Sequence, residues 1–396
     1  MAGRGRAWHA PLVGLCVLLT SLTGCRGQSG TDAAKTEVQQ VLDRRAAALL
    51  RHDEAAYDAT GSPAQYGHLR AVPLVSWSYR LTALHRDGTG ATADARLRYR
   101  IRDYDKAPVT TDRRLTLGRT ADGHWYVAAD RPARKAGQQL WDEGTVVAAR
   151  GARSLVLGVG QSGAELRGYA RLADRAVPAV SREWGTDWTR RVVLLVPQDL
   201  AGMARLLGSP ASSYRGIAAV TTGEVGGSGN APADRVIVNP EAYAILGDVG
   251  KQVVLTHETT HVATRAHTDA ATPLWLSEGY ADWIGYLGTG RTAPQAAPEL
   301  ARAVQEGQVP VHLPADKDFA FSTDAVALAR AYESGWLACR MIADRWGEVR
   351  LGEFYRAVGT HEKRAGAVED ALKKVLGTTP EEFTTQWQDY VRAQLG

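Results

Sequence analysis

The chain changes its period along its length, and that change restricts what it can fold into. Between residues 75 and 130 four segments alternate apolar and polar side chains: VSWSYRLTAL, ATADARLRYRIRDY, DRRLTLGRT and HWYVAAD. A period of two sends successive side chains to opposite faces of a sheet. Turn signals such as Arg86-Asp87-Gly88 and Ala121-Asp122-Gly123 separate the segments. Ahead of them, residues 32–60 set Val38, Val41, Leu42, Ala46 and Leu49 at helical spacing, and Gly61-Ser62-Pro63 stops the run. Beyond about residue 242 only helical spacing remains. The stretch between is mixed. VVAARGARSLVLGV reads as a strand or hairpin, Gly163 to Trp184 as an amphipathic helix, RRVVLLVP as a buried strand and Leu200 to Leu207 as a short helix. GIAAVTT and DRVIVNP read as strands around a glycine-rich loop, TGEVGGSGNAPAD. The expected class is therefore α+β. A helix-plus-antiparallel-sheet domain spans 32–130, the polar segment RPARKAGQQ marks a linker over 131–144, and a second domain with few strands and a helical half spans 145–396.

The chain's 396 residues suffice for two such domains. The net charge of +4 is mild, and its basic and acidic residues are interspersed. No basic stripe with interleaved aromatics appears, which argues against nucleic acid as a partner. Arg4 and Arg6 precede an apolar run from Pro11 to Leu22, too short for a spanning helix and placed like a signal peptide over 1–25. It ends in Leu22-Thr23-Gly24-Cys25, which resembles a bacterial lipobox. That resemblance implies cleavage before Cys25, a lipid on its thiol and anchoring to the outer face of the cell membrane. An ordinary secretory signal is the other reading. The small polar residues 26–31 then read as a tether. Of three cysteines, on this reading Cys16 would leave with the signal and Cys25 would carry the lipid. Cys339 is left alone, so the mature chain has no intrachain disulfide. It lies in the apolar helical run GWLACRMIADRW and reads as a buried core residue.

The chemistry is concentrated in two segments. Residues 249–266 contain His257-Glu258-Thr259-Thr260-His261, the pattern H-E-x-x-H. On an α-helix the two histidines share a face one turn apart and can reach one zinc ion, with Glu258 beside the open coordination position as general base. Val253, Val254, Leu255 and Val262 make that helix half-buried. Seventeen residues beyond His261 lies Glu278, in PLWLSEGYADWIGY, where Pro273 marks the start of a second helix. A return of that helix beside the first would bring Glu278 to the histidines as third ligand. Trp275 and Trp283 read as packing residues. His267 lies in the connecting loop, and Glu224 in a hairpin loop.

H-E-x-x-H followed by W-L-x-E-G-[YF]-A resembles the gluzincins, the thermolysin and aminopeptidase-N-type clan of zinc metallopeptidases, and in particular its small bacterial peptidase MA-like members. The resemblance covers roughly residues 145–396 and is specific over 250–290. It implies that Glu278 is the third zinc ligand and that Asp282, four residues on, hydrogen-bonds the outer nitrogen of a ligand histidine. In Ala327–Trp346 it implies that Tyr332 donates to the oxyanion. The strand DRVIVN (234–239) is expected to be the substrate-binding edge strand. No G-x-M-E-N motif precedes the HETTH helix, so an endopeptidase is implied rather than an aminopeptidase. The N-terminal helix and meander resemble a cystatin-like or nuclear-transport-factor-like half-barrel in element order. Two functions are thus carried forward. One is a zinc peptidase acting on extracytoplasmic proteins or peptides. The other is an inactive surface lipoprotein with a structural zinc that serves as a binding module, and Glu258 speaks against it because a structural site needs no base.

Overall fold

The structure is a computed structural model, and it describes residues 26–87, 90–222, 232–320 and 324–396, residues 26–32 by their backbone alone. The signal segment, Cys25, Glu224 and most of the glycine-rich loop lie outside the described residues.

The N-terminal unit opens with α1 (Arg26–Leu50), so residues 26–31, expected as a flexible tether, are the first turns of a helix. The helical run expected to reach residue 60 breaks at His52, whose φ of +57° cannot continue a helix. Two short helices follow, α2 (Glu54–Asp58) and α3 (Ala64–Leu69). The buried Arg45 guanidinium ties them to α1: it donates to Thr60 Oγ1 at 2.8 Å and Gln65 Oε1 at 2.9 Å and lies over the Tyr57 ring. The expected meander then forms as β1 (Leu74–Asp87), β2 (Gly90–Ile101), β3 (Val109–Arg119) and β4 (Trp125–Pro132), antiparallel and in chain order. Its inward residues, Tyr79, Leu97, Leu115 and Val127 among them, pack on Val38, Leu42 and Leu49 of α1. The free edge of β1 is covered by Gln39, whose amide bonds Tyr79 O and Leu81 N at 2.8 and 2.9 Å.

The segment expected as a linker is instead part of this core. β4 continues to Pro132, and Leu140 and Trp141 are 3% and 4% exposed. Asp142 forms a bidentate pair with the buried Arg113, which also bonds Asp130 at 2.7 Å. A buried guanidinium requires such partners, and composition alone does not reveal that a polar segment supplies them.

The second unit contains β5 (Val147–Arg150), β6 (Ser154–Gly158), α4 (Gly163–Trp184), β7 (Val192–Val196), α5 (Leu200–Leu207), β8 (Ala219–Thr222) and β9 (Arg235–Val238). α4 starts on a capping box in which Ser162 and Glu165 satisfy each other's backbone N–H. The sheet order is β5-β6-β7-β9-β8, with β6, β7 and β9 parallel and the outer strands antiparallel to their neighbours. This corrects one expectation. The strand over 234–239 is interior, between β7 and β8, and β8 is the edge strand. Leu155, Leu157 and Val193 of this sheet, with Val159 just beyond β6, join the N-terminal core, so the two units share apolar contacts.

The rest is helical, as expected: α6 (Pro240–Ala244), α7 (Asp248–Thr264), α8 (Leu274–Tyr286), α9 (Ala293–Ala296), α10 (Pro298–Gln305), α11 (Ala325–Trp346), α12 (Glu348–Val358), α13 (Ala367–Ala371) and α14 (Pro380–Leu395). Trp275, Trp283, Cys339 and Trp387 are all buried in their common core. α8 and α11 cross in backbone contact. A Cβ on Gly279 would lie 2.3 Å from Gly335 O, and one on Gly335 would lie 2.7 Å from Trp275 O. That close approach sets Glu278, beside Gly279, against Tyr332, one turn before Gly335. No described helix is long and apolar enough to cross a membrane.

Candidate metal centre

α7 and α8 supply the site. α7 packs on α4, α8 and β8. Its two central threonines are buried and bend back to carbonyls four residues earlier, Thr259 Oγ1 to Leu255 O at 2.6 Å and Thr260 Oγ1 to Thr256 O at 2.9 Å. With these polar groups satisfied, one face of the HETTH turn can be buried while the His257 and His261 side chains stay partly exposed on the other.

His257, His261 and Glu278 converge. His257 Nε2 lies 3.0 Å from His261 Nε2, and Glu278 Oε2 lies 3.2 Å from the first and 3.3 Å from the second. Ligands at zinc bond lengths in a tetrahedron sit about 3.3 Å apart. The three donor atoms thus already occupy three corners of such a site. The chemistry of the set agrees. His257 Nδ1 is 2.7 Å from Asp282 Oδ1, an acceptor that calls for a proton on Nδ1 and leaves the Nε2 lone pair directed inward. Lone pairs from two imidazoles and a carboxylate in van der Waals contact repel one another unless a cation or protons lie among them. Burial opposes the charge on His257, but the Asp282 and Glu278 carboxylates outweigh it and hold the imidazole well above its usual range. Burial likewise opposes ionisation of Glu278, yet His261 and His257 hold it well below the usual carboxylate range. Among the described residues these three are the group of His, Cys, Asp or Glu placed to share a metal ion. Their side chains are 12%, 18% and 15% exposed, so solvent reaches the cluster.

The other expected site residues lie close by. Glu258 is 6% exposed. Tyr332 on α11 stands with its ring centroid 6.4 Å from that of His257, wedged edge-on against Phe319. Burial raises its phenol well above the usual range, and the carboxylates of Glu278, Asp282 and Glu258 raise it further, with Glu278 accepting its hydrogen bond. Tyr332 therefore keeps its proton as a donor. His267 lies against Trp184 with ring centroids 5.5 Å apart.

One contact was not foreseen. Thr221 on the edge strand β8 donates to Glu258 Oε2 at 2.6 Å, and the same hydroxyl is 3.2 Å from the Glu258 backbone oxygen. No local pattern marks Thr221; only the placement of β8 against α7 does.

No protein-family model matches the chain, and no curated protein matches it. Solved structures with a related arrangement include native yeast LTA4 hydrolase, at 14% identity and a TM-score of 0.39 over 69% of this chain and 43% of that one. The M1 zinc metallopeptidase from Deinococcus radiodurans matches at 15% identity and a TM-score of 0.32, over 82% of this chain and 62% of that one. A two-domain M1 zinc metallopeptidase bound to L-arginine matches at 12% identity and 0.36, over 83% and 96%. The chain thus spans less than half the length of the yeast enzyme. Likeness at this level leaves the geometry of the site to carry the functional argument.

Proposed function

We propose that this chain is a zinc-dependent peptidase, with His257, His261 and Glu278 holding the metal and Glu258 serving as general base. The observation that carries the reading is the triangle of donor atoms 3.0 to 3.3 Å apart, with Asp282 behind His257 and no fourth protein ligand among the described residues. A site built only to hold metal is closed by a fourth ligand and has no use for Glu258.

A zinc ion held there supplies Lewis-acid polarisation of a scissile carbonyl and makes a water more acidic. The chain's own groups do the rest. Glu258 takes a proton from the attacking water and passes it to the departing amine nitrogen. Tyr332 donates its phenolic hydrogen to the oxygen that gains negative charge. The edge strand β8 beside α7 offers backbone groups to an extended peptide. No G-x-M-E-N motif precedes the HETTH helix, so the reading favours internal peptide bonds. The N-terminal segment, read as a lipoprotein signal with Cys25 acylated, puts the substrate among extracytoplasmic proteins and peptides. The helix-on-meander unit is read as cystatin-like.

The test is cleavage of a broad peptide library by wild type and Glu258→Gln, with a chelator control. Wild type cleaves and the chelator stops it. Glu258→Gln keeps its zinc and loses at least about 10²-fold in rate. A Gln variant as fast as wild type overturns the assignment.

A further inference from the structure

We propose that Thr221 is a positioning residue that fixes the orientation of the Glu258 carboxylate. The inference rests on the reading of Glu258 as base. Its hydroxyl donates to Oε2 at 2.6 Å, and no other side chain among the described residues hydrogen-bonds that carboxylate. A single donor on Oε2 leaves Oε1 free to receive a proton and removes the rotation that would exchange the two oxygens. The side chain is β-branched and sits on a strand, which restricts χ1 and with it the direction of the hydroxyl.

The strand is itself held in place. Thr221 lies opposite Val236 in the β8–β9 register, and Thr222 opposite Arg235. Arg235 Nη2 donates to both carboxylate oxygens of Asp105 in the N-terminal unit, at 2.8 and 2.9 Å, and Asp105 also accepts from Ala233 N at 3.1 Å. Asp234 is joined to Arg265, just past the end of α7, at 3.1 Å. The hairpin that presents Thr221 is thus fastened both to the N-terminal unit and to the end of the catalytic helix. A base held by such a frame is aligned before substrate arrives.

The experiment compares the full-length zinc-loaded chain with Thr221→Val, which keeps the shape and strand preference of threonine, and with Thr221→Ser, which keeps the hydroxyl. Zinc content, kcat and KM on a library-derived peptide, and crystal structures of wild type and the valine variant are the readouts. The expected result is unchanged zinc, a fall in kcat of about 10–100-fold in the valine variant with KM within about twofold, and return to within about threefold of wild type with serine. The valine crystal structure should show the Glu258 carboxylate rotated from its wild-type direction. A valine variant with wild-type kcat, a serine variant as slow as valine, or an unrotated carboxylate each overturns the proposal. If wild type cleaves no peptide, the assignment of the base has failed, while the carboxylate's direction in the two crystal structures still decides the role of Thr221.

Discussion

Asp282 Oδ1 lies 2.7 Å from Nδ1 of His257, and Asp282 stands one helical turn beyond Glu278 on α8. In the proposed zinc site a single helix would therefore bring both one ligand and the group that orients a second ligand on the neighbouring helix. The pairing fixes both the tautomer and the ring plane of His257. Replacing Asp282 with Ala should leave the fold intact and weaken zinc binding or activity by about 10–100-fold. Competition against a chromophoric chelator measures the affinity, and an unchanged value would show that His257 needs no such partner.

Asp105 links the two units through a buried ion pair. Its side chain is 0% exposed, and Arg235, its partner, is 11% exposed. Breaking a buried pair by removing one partner leaves the other charge uncompensated and costs about 3–5 kcal/mol. Asp105→Ala should lower the denaturation midpoint accordingly. It should also raise hydrogen exchange at the β8–β9 hairpin, because Ala233 and Arg235 lose their common acceptor.

Much of this arrangement was legible in the sequence, and the reason is locality. The pairing of His257 with His261 follows from helical periodicity, and Pro273 marked the start of α8 within one residue. The four strands of the meander were legible because β2 and β3 alternate along most of their length and β1 and β4 over part of theirs. Sheet order was not. β8 and β9 are both four residues long, and which of them is the edge strand depends on how β9 pairs with β7, a contact some forty residues away in sequence. The supposed linker failed for a related reason. Asp142 looks like a surface residue until Arg113, twenty-nine residues earlier, is seen to be buried against it. Thr221 needed both facts at once: the edge position of β8 and the packing of α7 against it.

Glu333 supplies a dependence of stability on pH. Its carboxylate accepts from Leu300 N at 2.6 Å and Glu299 N at 3.3 Å at the start of α10. Burial pushes its pKa up from 4.5 to about 7 despite those bonds. An acid with a raised folded-state pKa holds its proton more tightly when folded. Its contribution is full below about pH 4.5 and is lost as pH rises towards 7. The loss is on the order of 3 kcal/mol. Glu333→Gln keeps an acceptor without the charge. It should match wild type at pH 5 and melt higher at pH 8, as read by thermal unfolding at both values. Equal melting temperatures at pH 8 would show that the carboxyl ionises without cost.

The central claim is tested most directly by titrating zinc into chelator-stripped protein and following heat and stoichiometry. Wild type and Glu258→Gln should each bind one zinc per chain with similar affinity, while Glu278→Ala and His261→Ala should bind at least about 100-fold more weakly. A Glu278→Ala variant that keeps wild-type zinc affinity would contradict the account.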